Sequence, residues 1–342
     1  MVSKRLASLT CAALLAGAVA AVAPSAAAAA QLQGAGSTLV APILSEWGTA
    51  WADATSNVPP SYAAVGSGQG LSDIGHGLVD FGGSDAPISA STTPCNCLQI
   101  PWALTATGIA FNVPGVHRLH LTGSVIAQIW LGQITRWNDR RITSLNRGLG
   151  DHFPNMQITP VHRSDGSGDS YAFTDYLSDV SGAWARQVGR GTKPSFPRGP
   201  GATGNIGMVT VVEGTPGAIA YIAVSYMIAH RLPAVAIRNA AGNYEVPNLS
   251  NISNAAAVVT RVPSDNELHI VNPSRRARIA YPISTFTYAI VQPRDPLGNG
   301  GLLKSFISYA IGAGQQFGPA LDFVPLPGSI RAADRATLKR IS

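Results

Sequence analysis

Charged residues are scarce in this sequence: Asp, Glu, Lys and Arg make up only 12% of its 342 residues. Lys and Arg never occur in runs longer than two, and the formal net charge is +6. Proteins that bind nucleic acid usually concentrate basic residues on one face, so this distribution argues against a nucleic-acid partner. A mild positive excess does suit a small anionic ligand.

Metal-ligand and nucleophile patterns are missing as well. The seven His residues show no HExxH or similar spacing, and no Ser lies in a nucleophile-elbow pattern. His162, Asp165 and Ser167 are close in sequence, which keeps a secreted phosphatase as an alternative, but catalytic triads converge in space rather than along the chain. We therefore expect no metal, no cofactor and no enzymatic activity.

Cysteine is rare, with three residues in the chain. Cys11 follows Leu9 and Thr10 early in an apolar segment, whereas a lipid-anchor cysteine would follow a small residue at the end of such a segment. We therefore expect no lipid anchor. Cys95 and Cys97 are separated by one residue, a spacing at which a disulfide is strained, although a surface-loop disulfide fits an oxidising compartment. The sequence leaves their redox state open.

The N-terminus has the order of a secretory signal peptide. Lys4 and Arg5 precede an Ala-rich apolar stretch, and a run of small residues at 25–30 follows it. Pro24 and the alanine run are poor material for a membrane core, so a transmembrane anchor is the weaker interpretation. We expect residues 1–30 to be cleaved and the mature protein to be periplasmic or secreted.

Glycine and proline are abundant, with 36 and 24 residues, and apolar residues suffice for a large core. About 310 residues remain after cleavage, which predicts two domains. Strand-like and helix-like patterns alternate, which predicts a mixed or mainly parallel α/β sheet covered by helices. The predicted strands lie within 31–36, 61–65, 78–81, 103–113, 157–162, 213–221 and 283–291, and the predicted helices within 42–53, 71–75, 124–131, 140–146, 170–180, 302–314 and 329–341.

Three short glycine-bearing segments each follow strand-like residues and precede helix-like residues. A helix N-terminus offers unpaired backbone N–H groups and a partial positive charge, glycine lets a ligand approach the backbone, and Ser or Thr adds a hydroxyl donor. Each segment alone fits an ordinary helix cap. Together they predict an oxyanion cradle. The segments are GAGSTL (34–39), GSGQG (66–70) and DGSGDS (165–170).

The second segment also fits part of a dinucleotide-binding fingerprint, because Asp85 follows it by about twenty residues. The glycine spacing is incomplete, and the helix that follows is too short for a βαβ crossover. Such a cofactor would also be out of place outside the cytoplasm. We therefore reject a nicotinamide cofactor.

Six segments stand out in order along the chain: GAGSTLVAP (34–42), VDFGGSDAP (79–87), LGQITRWND (131–139), HRSDGSG (162–168), PGAIAY (216–221) and DFVPLP (322–327). In that order they resemble the phosphate-binding proteins of bacterial phosphate ABC transporters. They extend over essentially the whole mature chain, which makes the ordered set specific.

The resemblance implies a type II-like periplasmic-binding-protein fold, in which two α/β lobes close on one phosphate ion. It implies that residues 31–104 and 285–342 form lobe I and residues 105–284 form lobe II, with crossing strands near 104–106 and 284–286. The family's ligand positions carry over to Thr38, Leu39, Ser67, Asp85, Arg163, Ser167 and Gly168, and Asp169 follows them.

The chemistry of three positions accounts for anion selection. Arg163 supplies N–H donors in a fixed fork, and Asp165 is expected to hold that guanidinium in place. Both common protonation states of phosphate carry an O–H, which the acceptor-only carboxylate of Asp85 can accept. Sulfate has no proton at neutral pH and would leave Asp85 repelled and unpaired. The alternative role for Asp85 is to cap the turn before Pro87.

Two positions depart from the commonest family pattern. Leu39 stands where many members have Phe, which matters little because this position supplies a backbone N–H. Asp169 stands where many members have Thr. Its N–H can still donate at a helix N-terminus, and its carboxylate either accepts a second phosphate proton or turns away. If the carboxylate faces the ligand, the site should prefer dihydrogen phosphate.

The resemblance implies a monomeric solute-binding protein that captures inorganic phosphate outside the cytoplasm. It would deliver the ion to the membrane permease subunits of a phosphate ABC transporter, by lobe closure and without covalent chemistry. The alternatives are a secreted phosphatase on the same fold and a receptor for another oxyanion, such as sulfate or molybdate.

Overall fold

The computed structural model describes residues 30–88, 95–150 and 152–342. Apart from Ala30, the predicted signal peptide lies outside the described residues. Within those three ranges, no helix combines the length and hydropathy that crossing a membrane requires.

Strands and helices alternate through the described ranges, as the sequence predicts. The strands are β1 (Gln33–Gly36), β2 (Ser61–Ala63), β3 (Phe81–Ser84), β4 (Leu98–Phe111), β5 (Leu119–Thr122), β6 (Thr159–Arg163), β7 (Gly201–Ala202), β8 (Ala218–Ala223), β9 (Val235–Arg238), β10 (Tyr244–Glu245) and β11 (Ser284–Val291). The helices are α1 (Ala41–Thr55), α2 (Ser67–Gly75), α3 (Gly123–Trp130), α4 (Arg140–Thr143), α5 (Gly168–Val180), α6 (Gly182–Gln187), α7 (Gly204–Gly214), α8 (Val224–Ala229), α9 (Leu249–Ala256), α10 (Gly300–Ala310) and α11 (Gly328–Leu338). Two 3-10 helices span Ser144–Asn146 and Ala313–Leu321.

Eight strands form one sheet in the order β2-β1-β3-β11-β4-β8-β6-β7, and the other three form a small sheet, β10-β9-β5. We call β2, β1, β3 and β11 the β1 half of the large sheet, and β8, β6 and β7 the β6 half. Strand β4 joins the halves, because its residues 98–106 pair with β11 and its residues 107–111 pair with β8. All 14 residues of β4 are buried, as in strands that are covered on both faces.

The large sheet mixes parallel and antiparallel pairs, which confirms the predicted α/β class. Pairs within β2-β1-β3 and within β8-β6-β7 are parallel, whereas β11 and β4 are antiparallel. At the predicted crossing, Ala106 pairs with Ser284 and Leu104 pairs with Phe286. The division of the chain into lobe I and lobe II at these residues stays a prediction.

Each half of the large sheet packs against aromatic rings that fix its helices. In the β1 half, the Trp102 ring lies 5.6 Å from the ring of Trp47 in α1 and 5.8 Å from that of Phe81. In the β6 half, Phe173 of α5 stacks on Tyr221 of β8 at 4.4 Å. All five rings are buried, and each such burial contributes about 2–3 kcal/mol before packing terms. This packing sets where the N-termini of α1 and α5 lie.

Several elements differ from their predicted bounds. The strand predicted within 78–81 lies instead at Phe81–Ser84, as β3. Its two glycines are not typical of strands, so the sequence pattern does not include them. They fit here because they pack against α2. An ideal Cβ on Gly82 would lie 2.9 Å from the carbonyl oxygen of Gly70 in α2. Helix α2 begins at Ser67, four residues before its prediction. The sequence also misses α6 to α9, β5, β7, β9 and β10. Helix α7, for instance, is rich in β-branched residues typical of strands.

The two cysteines of the predicted mature chain are joined to each other. Cys95 and Cys97 form a disulfide immediately before β4. This bond fits the exported location that the N-terminal sequence predicts.

Asp334 in α11 yields a prediction about stability and pH. Its side chain is fully buried, and in the described part of the chain neither carboxyl oxygen has a hydrogen-bond partner. Burial raises the pKa of Asp334 to about 8, and Arg335 lowers it less. The unfolded chain would ionise this group near pH 4, so folding stability is lost as the pH rises from about 4 to about 8.

We therefore expect Asp334→Asn to raise Tm by several degrees at pH 8 and to change it little at pH 4. Thermal unfolding at several pH values measures the difference, with Asp53→Asn on the exposed side of α1 as the control. A gain in Tm that does not grow with pH would contradict the assignment.

Candidate functional site

The three glycine-bearing segments lie at helix N-termini, where the β1 half and the β6 half face each other. Helix α1 starts just after the first segment, while α2 starts within the second and α5 within the third. In α5, the Ser167 hydroxyl caps the helix by accepting from the Ser170 N–H at 3.3 Å. The third segment therefore acts as an ordinary helix cap, which is the role that each segment could have alone. The three segments also lie close to one another.

Backbone groups of the second and third segments bond directly to each other. The N–H of Gly68 donates to the carbonyl of Gly166 at 2.9 Å, and the N–H of Gly168 donates to Ser67 Oγ at 3.2 Å. An ideal Cβ on Gly168 would lie 2.4 Å from Cβ of Asp85. The halves can approach this closely only because position 168 has no side chain.

Asp85 follows β3 and is 1% exposed. Ser37 Oγ lies 2.6 Å from both of its carboxyl oxygens, and Ser67 Oγ lies 3.3 Å from Oδ2. Burial, and then the charge of Asp169, raise the pKa of Asp85 to about 7, although the Ser37 hydrogen bond and Arg163 lower it. Near neutral pH this carboxyl can therefore either accept or hold a proton.

Arg163 ends β6, and its side chain is 1% exposed. Nε donates to Oδ1 of Asp165 at 2.7 Å and Nη2 donates to Oδ2, which makes a two-pronged ion pair. Nη1 donates to Oδ2 of Asp169 at 3.2 Å. The backbone N–H of Arg163 donates to the Tyr221 hydroxyl at 2.9 Å. The guanidinium is thus fixed in position and turned towards the third segment.

Asp169 is the second residue of α5 and is 1% exposed. Its Oδ1 accepts from Thr107 Oγ1 at 2.7 Å, and its Oδ2 accepts from Asn205 Nδ2 at 2.8 Å. Asn205 is anchored in turn, because its Oδ1 accepts from the N–H of Ala223 at 2.8 Å. Burial raises the pKa of Asp169, while Arg163, Thr107 and Asn205 lower it. The carboxylate faces Arg163 and does not turn away to solvent.

Thr38 links the first segment to α7 and α8. Its Oγ1 accepts from Asn205 Nδ2 at 2.9 Å, and its carbonyl accepts from the Tyr226 hydroxyl at 3.1 Å. The N–H of Leu39 donates to Ser37 Oγ at 3.0 Å. An anion that took the N–H of Leu39 would therefore share this donor with Ser37.

The charges of the cluster limit what it can bind. Asp85, Asp165 and Asp169 lie around one buried cation, Arg163, so full ionisation would leave more negative than positive charge. The pKa values of Asp85 and Asp169 are raised, which reduces this excess. The arrangement suits an anion that brings protons with it better than one that has none.

All eight predicted ligand residues lie in this one cluster, each bonded to another member or adjacent to one in the chain. They are Thr38, Leu39, Ser67, Asp85, Arg163, Ser167, Gly168 and Asp169. Their contact with phosphate stays a prediction. Among the described residues, no group of three or more His, Cys, Asp or Glu could hold a metal ion.

The sequence prediction missed four polar residues of the cluster. Ser37 lies inside the first segment, and its loop position could have marked it. Asn205 follows Gly204 at the start of α7, which repeats the pattern of glycine before a helix used for the other segments. Thr107 lies within a buried strand and Tyr226 within α8, where no sequence pattern distinguishes them from core residues.

Known proteins resemble this chain along most of its length. Residues 21–313 match the family model of the PBP superfamily domain. The phosphate-binding protein PstS of Xylella fastidiosa (strain 9a5c) is 33% identical over 305 residues, covering 88% of this chain and 82% of that protein. The phosphate-binding protein PstS of Methanocaldococcus jannaschii is 34% identical over 286 residues, covering 76% and 73%.

The chain is therefore a member of the PBP superfamily. Within that superfamily, it belongs to the family of PstS phosphate-binding proteins.

Solved structures share the fold. A high-affinity periplasmic phosphate-binding protein (PfluDING) bound with phosphate at pH 8.5 superposes with a TM-score of 0.70 at 21% identity, covering 90% of this chain and 93% of that one. A putative phosphate ABC transporter substrate-binding protein with bound phosphate from Clostridium perfringens gives a TM-score of 0.65 at 19% identity, covering 87% and 100%. These similarities confirm the predicted two-lobe periplasmic-binding-protein fold.

The contact at Gly168 yields a prediction about closure. Gly168→Ala places a methyl group against Asp85, and this overpacking should weaken phosphate binding about 10- to 100-fold by holding the halves apart. Calorimetric titration with phosphate measures the change. Gly301→Ala is the matched control, because Gly301 also lies in the first turn of a helix and an ideal Cβ there meets nothing within 4 Å. Affinity equal to the wild type in Gly168→Ala would contradict the account.

Proposed function

We propose that this chain is an extracytoplasmic solute-binding protein that captures inorganic phosphate and delivers it to the permease of a phosphate ABC transporter. The observation that carries the proposal is the buried carboxyl of Asp85, whose pKa lies near 7, in one cluster with the buried guanidinium of Arg163. A proton acceptor beside a fixed cation suits an oxyanion that carries both negative charge and an O–H. Phosphate has both at neutral pH, whereas sulfate lacks the proton.

In this proposal, donors from both halves of the sheet surround the ion. Arg163 and the N-termini of α1, α2 and α5 would attract any oxyanion, and Asp85 would select one that is protonated. Asp165 would act on the ion only through Arg163, whose orientation it fixes. The proposed donors are the backbone N–H groups of Thr38, Leu39, Gly168 and Asp169, the hydroxyls of Thr38, Ser67 and Ser167, and the guanidinium of Arg163.

Binding without catalysis is the function that the site supports best. The Ser167 hydroxyl caps α5, and the ring of His162 stacks on Phe196 at 4.6 Å, with Nδ1 3.1 Å from the carbonyl of Arg163. His162 is thus occupied elsewhere and is not placed as a base for Ser167. The proposal accordingly favours a receptor over a secreted phosphatase.

Delivery would follow from opening and closing of the two lobes about the crossing strands. We propose that lobe I comprises residues 31–104 and 285–342 and lobe II residues 105–284, so that the contacts of Gly68 and Thr38 across the cleft form on closure. We propose that the protein is exported, loses residues 1–30 and acts as a monomer in the periplasm or outside the cell. The monomer would contact the permease subunits when it is closed on a phosphate ion.

Replacing Asp85 tests both the function and its selectivity. We expect wild-type protein to bind phosphate in calorimetry and to bind sulfate and molybdate far more weakly, with no turnover of a phosphomonoester. In Asp85→Asn, the amide can donate to sulfate, so the ratio of phosphate to sulfate affinity should fall by about tenfold or more. Asp53→Asn on the exposed side of α1 should leave the ratio unchanged.

Two results would count against the proposal. Wild-type protein that bound sulfate or molybdate as tightly as phosphate would make it a receptor for another oxyanion. An unchanged ratio of phosphate to sulfate affinity in Asp85→Asn would mean that Asp85 does not select phosphate, although the protein would still bind phosphate.

The raised pKa values of Asp85 and Asp169 predict how binding depends on pH. As the pH rises through about 7, the Asp85 carboxyl and the bound phosphate lose protons, and each loss adds a negative charge to the closed site. The pKa of Asp169 is also raised by burial, so ionisation of this carboxyl with rising pH adds to the same effect. Phosphate affinity should therefore fall from pH 5 to pH 8, by up to about tenfold per pH unit for each proton that binding requires. Asp169→Asn should flatten the curve, because one of the carboxyls is gone. Affinity that is constant or rises with pH in the wild type would rule out this role.

A further inference from the structure

An arginine cluster lies outside the phosphate site, where the turn of the β9–β10 hairpin meets the chain segment that precedes β11. Arg238, Arg275 and Arg278 line a shallow cavity of about 530 Å³, together with Ala240, Ala241 and Gly242. No acidic residue lines this cavity in the part of the chain that the structure describes. Arg276, in the same chain turn as Arg275, lines a different cavity, at the end of α9. We call Arg238, Arg275 and Arg278 the arginine surface.

The two chain segments that carry the arginine surface are fixed to each other by a buried side chain. Asn239 Nδ2 donates to the carbonyls of Arg278 and Ala280 at 2.9 and 3.2 Å. Its Oδ1 accepts from the N–H groups of Ala241 and Asn243 at 3.0 and 3.1 Å. The arginine backbones are therefore held at fixed spacing before any ligand arrives, which lowers the ordering cost of binding.

The charge of the arginine surface is not neutralised by neighbouring side chains. Among the described residues, none of its three arginines forms an ion pair, whereas Arg163, Arg141 and Arg190 each pair with an Asp. In a chain with only 12% charged residues, three exposed and uncompensated arginines around one cavity form a concentrated positive site. Such a site attracts a partner that carries several negative charges.

The shape and the lining residues of the cavity favour a ligand with several phosphate groups in one layer over a single ion or a folded acidic peptide. Guanidinium forks match phosphate oxygens in pairs, and three of them border a cavity that is open and shallow. Apart from the arginines, the described residues that line the cavity are Ala240, Ala241 and Gly242, which offer no large apolar side chain to hold a peptide. Ile279, next to Arg278, is 41% exposed, and cations beside aliphatic side chains are typical of surfaces that rest on anionic bilayers.

We propose that the arginine surface binds the phosphate headgroups of anionic phospholipids and holds the protein reversibly at a membrane face. The phosphate cluster at Arg163 plays no part in the proposal, so either can fail without the other.

Sedimentation with lipid vesicles tests the proposal. The mature chain should bind vesicles made of equal amounts of phosphatidylglycerol and phosphatidylcholine, and not vesicles of phosphatidylcholine alone. The triple variant Arg238→Gln, Arg275→Gln, Arg278→Gln should bind the anionic vesicles about 100-fold more weakly, since each arginine near such a surface is worth about fivefold in affinity.

A second triple variant with the same loss of charge is the matched control. Arg140→Gln, Arg147→Gln, Arg186→Gln removes three exposed arginines that do not line the cavity, and it should keep most of the vesicle affinity. Both triple variants should bind phosphate in calorimetry like the wild type, which verifies that they are folded.

Three outcomes would overturn the proposal. Equal loss of vesicle binding in the two triple variants would mean that only net charge matters. Binding of polyglutamate as tight as that of anionic vesicles, abolished only in the first variant, would assign the surface to an acidic protein segment. Release from vesicles by millimolar inorganic phosphate would make it a site for the free ion.

Discussion

The guanidinium of Arg163 is buried among carboxylates, and the remaining features of the site depend on the charge balance that results. Asp165 holds Arg163 in place, and Asp169 contacts it from the other side, so the cation is already paired before any ligand binds. A buried ion pair of this kind adds little to stability, but losing one partner is costly. Asp85 completes the cluster with a carboxyl whose pKa lies near 7. An anion can bind in this cluster without strong repulsion only if it carries protons that the carboxyls can accept.

Closure depends on backbone geometry as much as on charge. The second and third glycine-bearing segments meet through the bond from Gly68 to Gly166 and through the contact of Gly168 with Asp85, where no side chain fits. Strand β4 pairs with a strand of each half of the large sheet, so movement of one half relative to the other would bend a buried strand rather than a loop. The bonds of Thr38 to Asn205 and Tyr226 connect the first segment to the same closed arrangement.

The sequence predicted the parts of this arrangement that leave a local signal. The glycine-bearing segments gave Thr38, Ser67 and Gly168 through the pattern of strand, glycine and helix, and the family resemblance added Asp85 and Arg163. The sequence could not identify Thr107, because its role arises from a contact with Asp169, 62 residues away in the chain. The glycine before α7 could have marked the position of Asn205, but not its contact with Asp169, 36 residues away. The sequence also left open whether Asp169 faces the site, since that depends on packing of α5 against β8. The predicted position of strand β3 was too early in the chain, because its glycines contribute no side-chain pattern.

The central claim is that phosphate is held between Arg163 and Asp85 and shares a proton with the latter. A crystal structure of the mature protein with phosphate near pH 7 tests this most directly. The account predicts one phosphate ion bonded to the Arg163 guanidinium and to the N-termini of α2 and α5, with one of its oxygens within hydrogen-bond distance of the Asp85 carboxyl. A phosphate ion bound elsewhere, or an Asp85 carboxyl turned away from every phosphate oxygen, would contradict it.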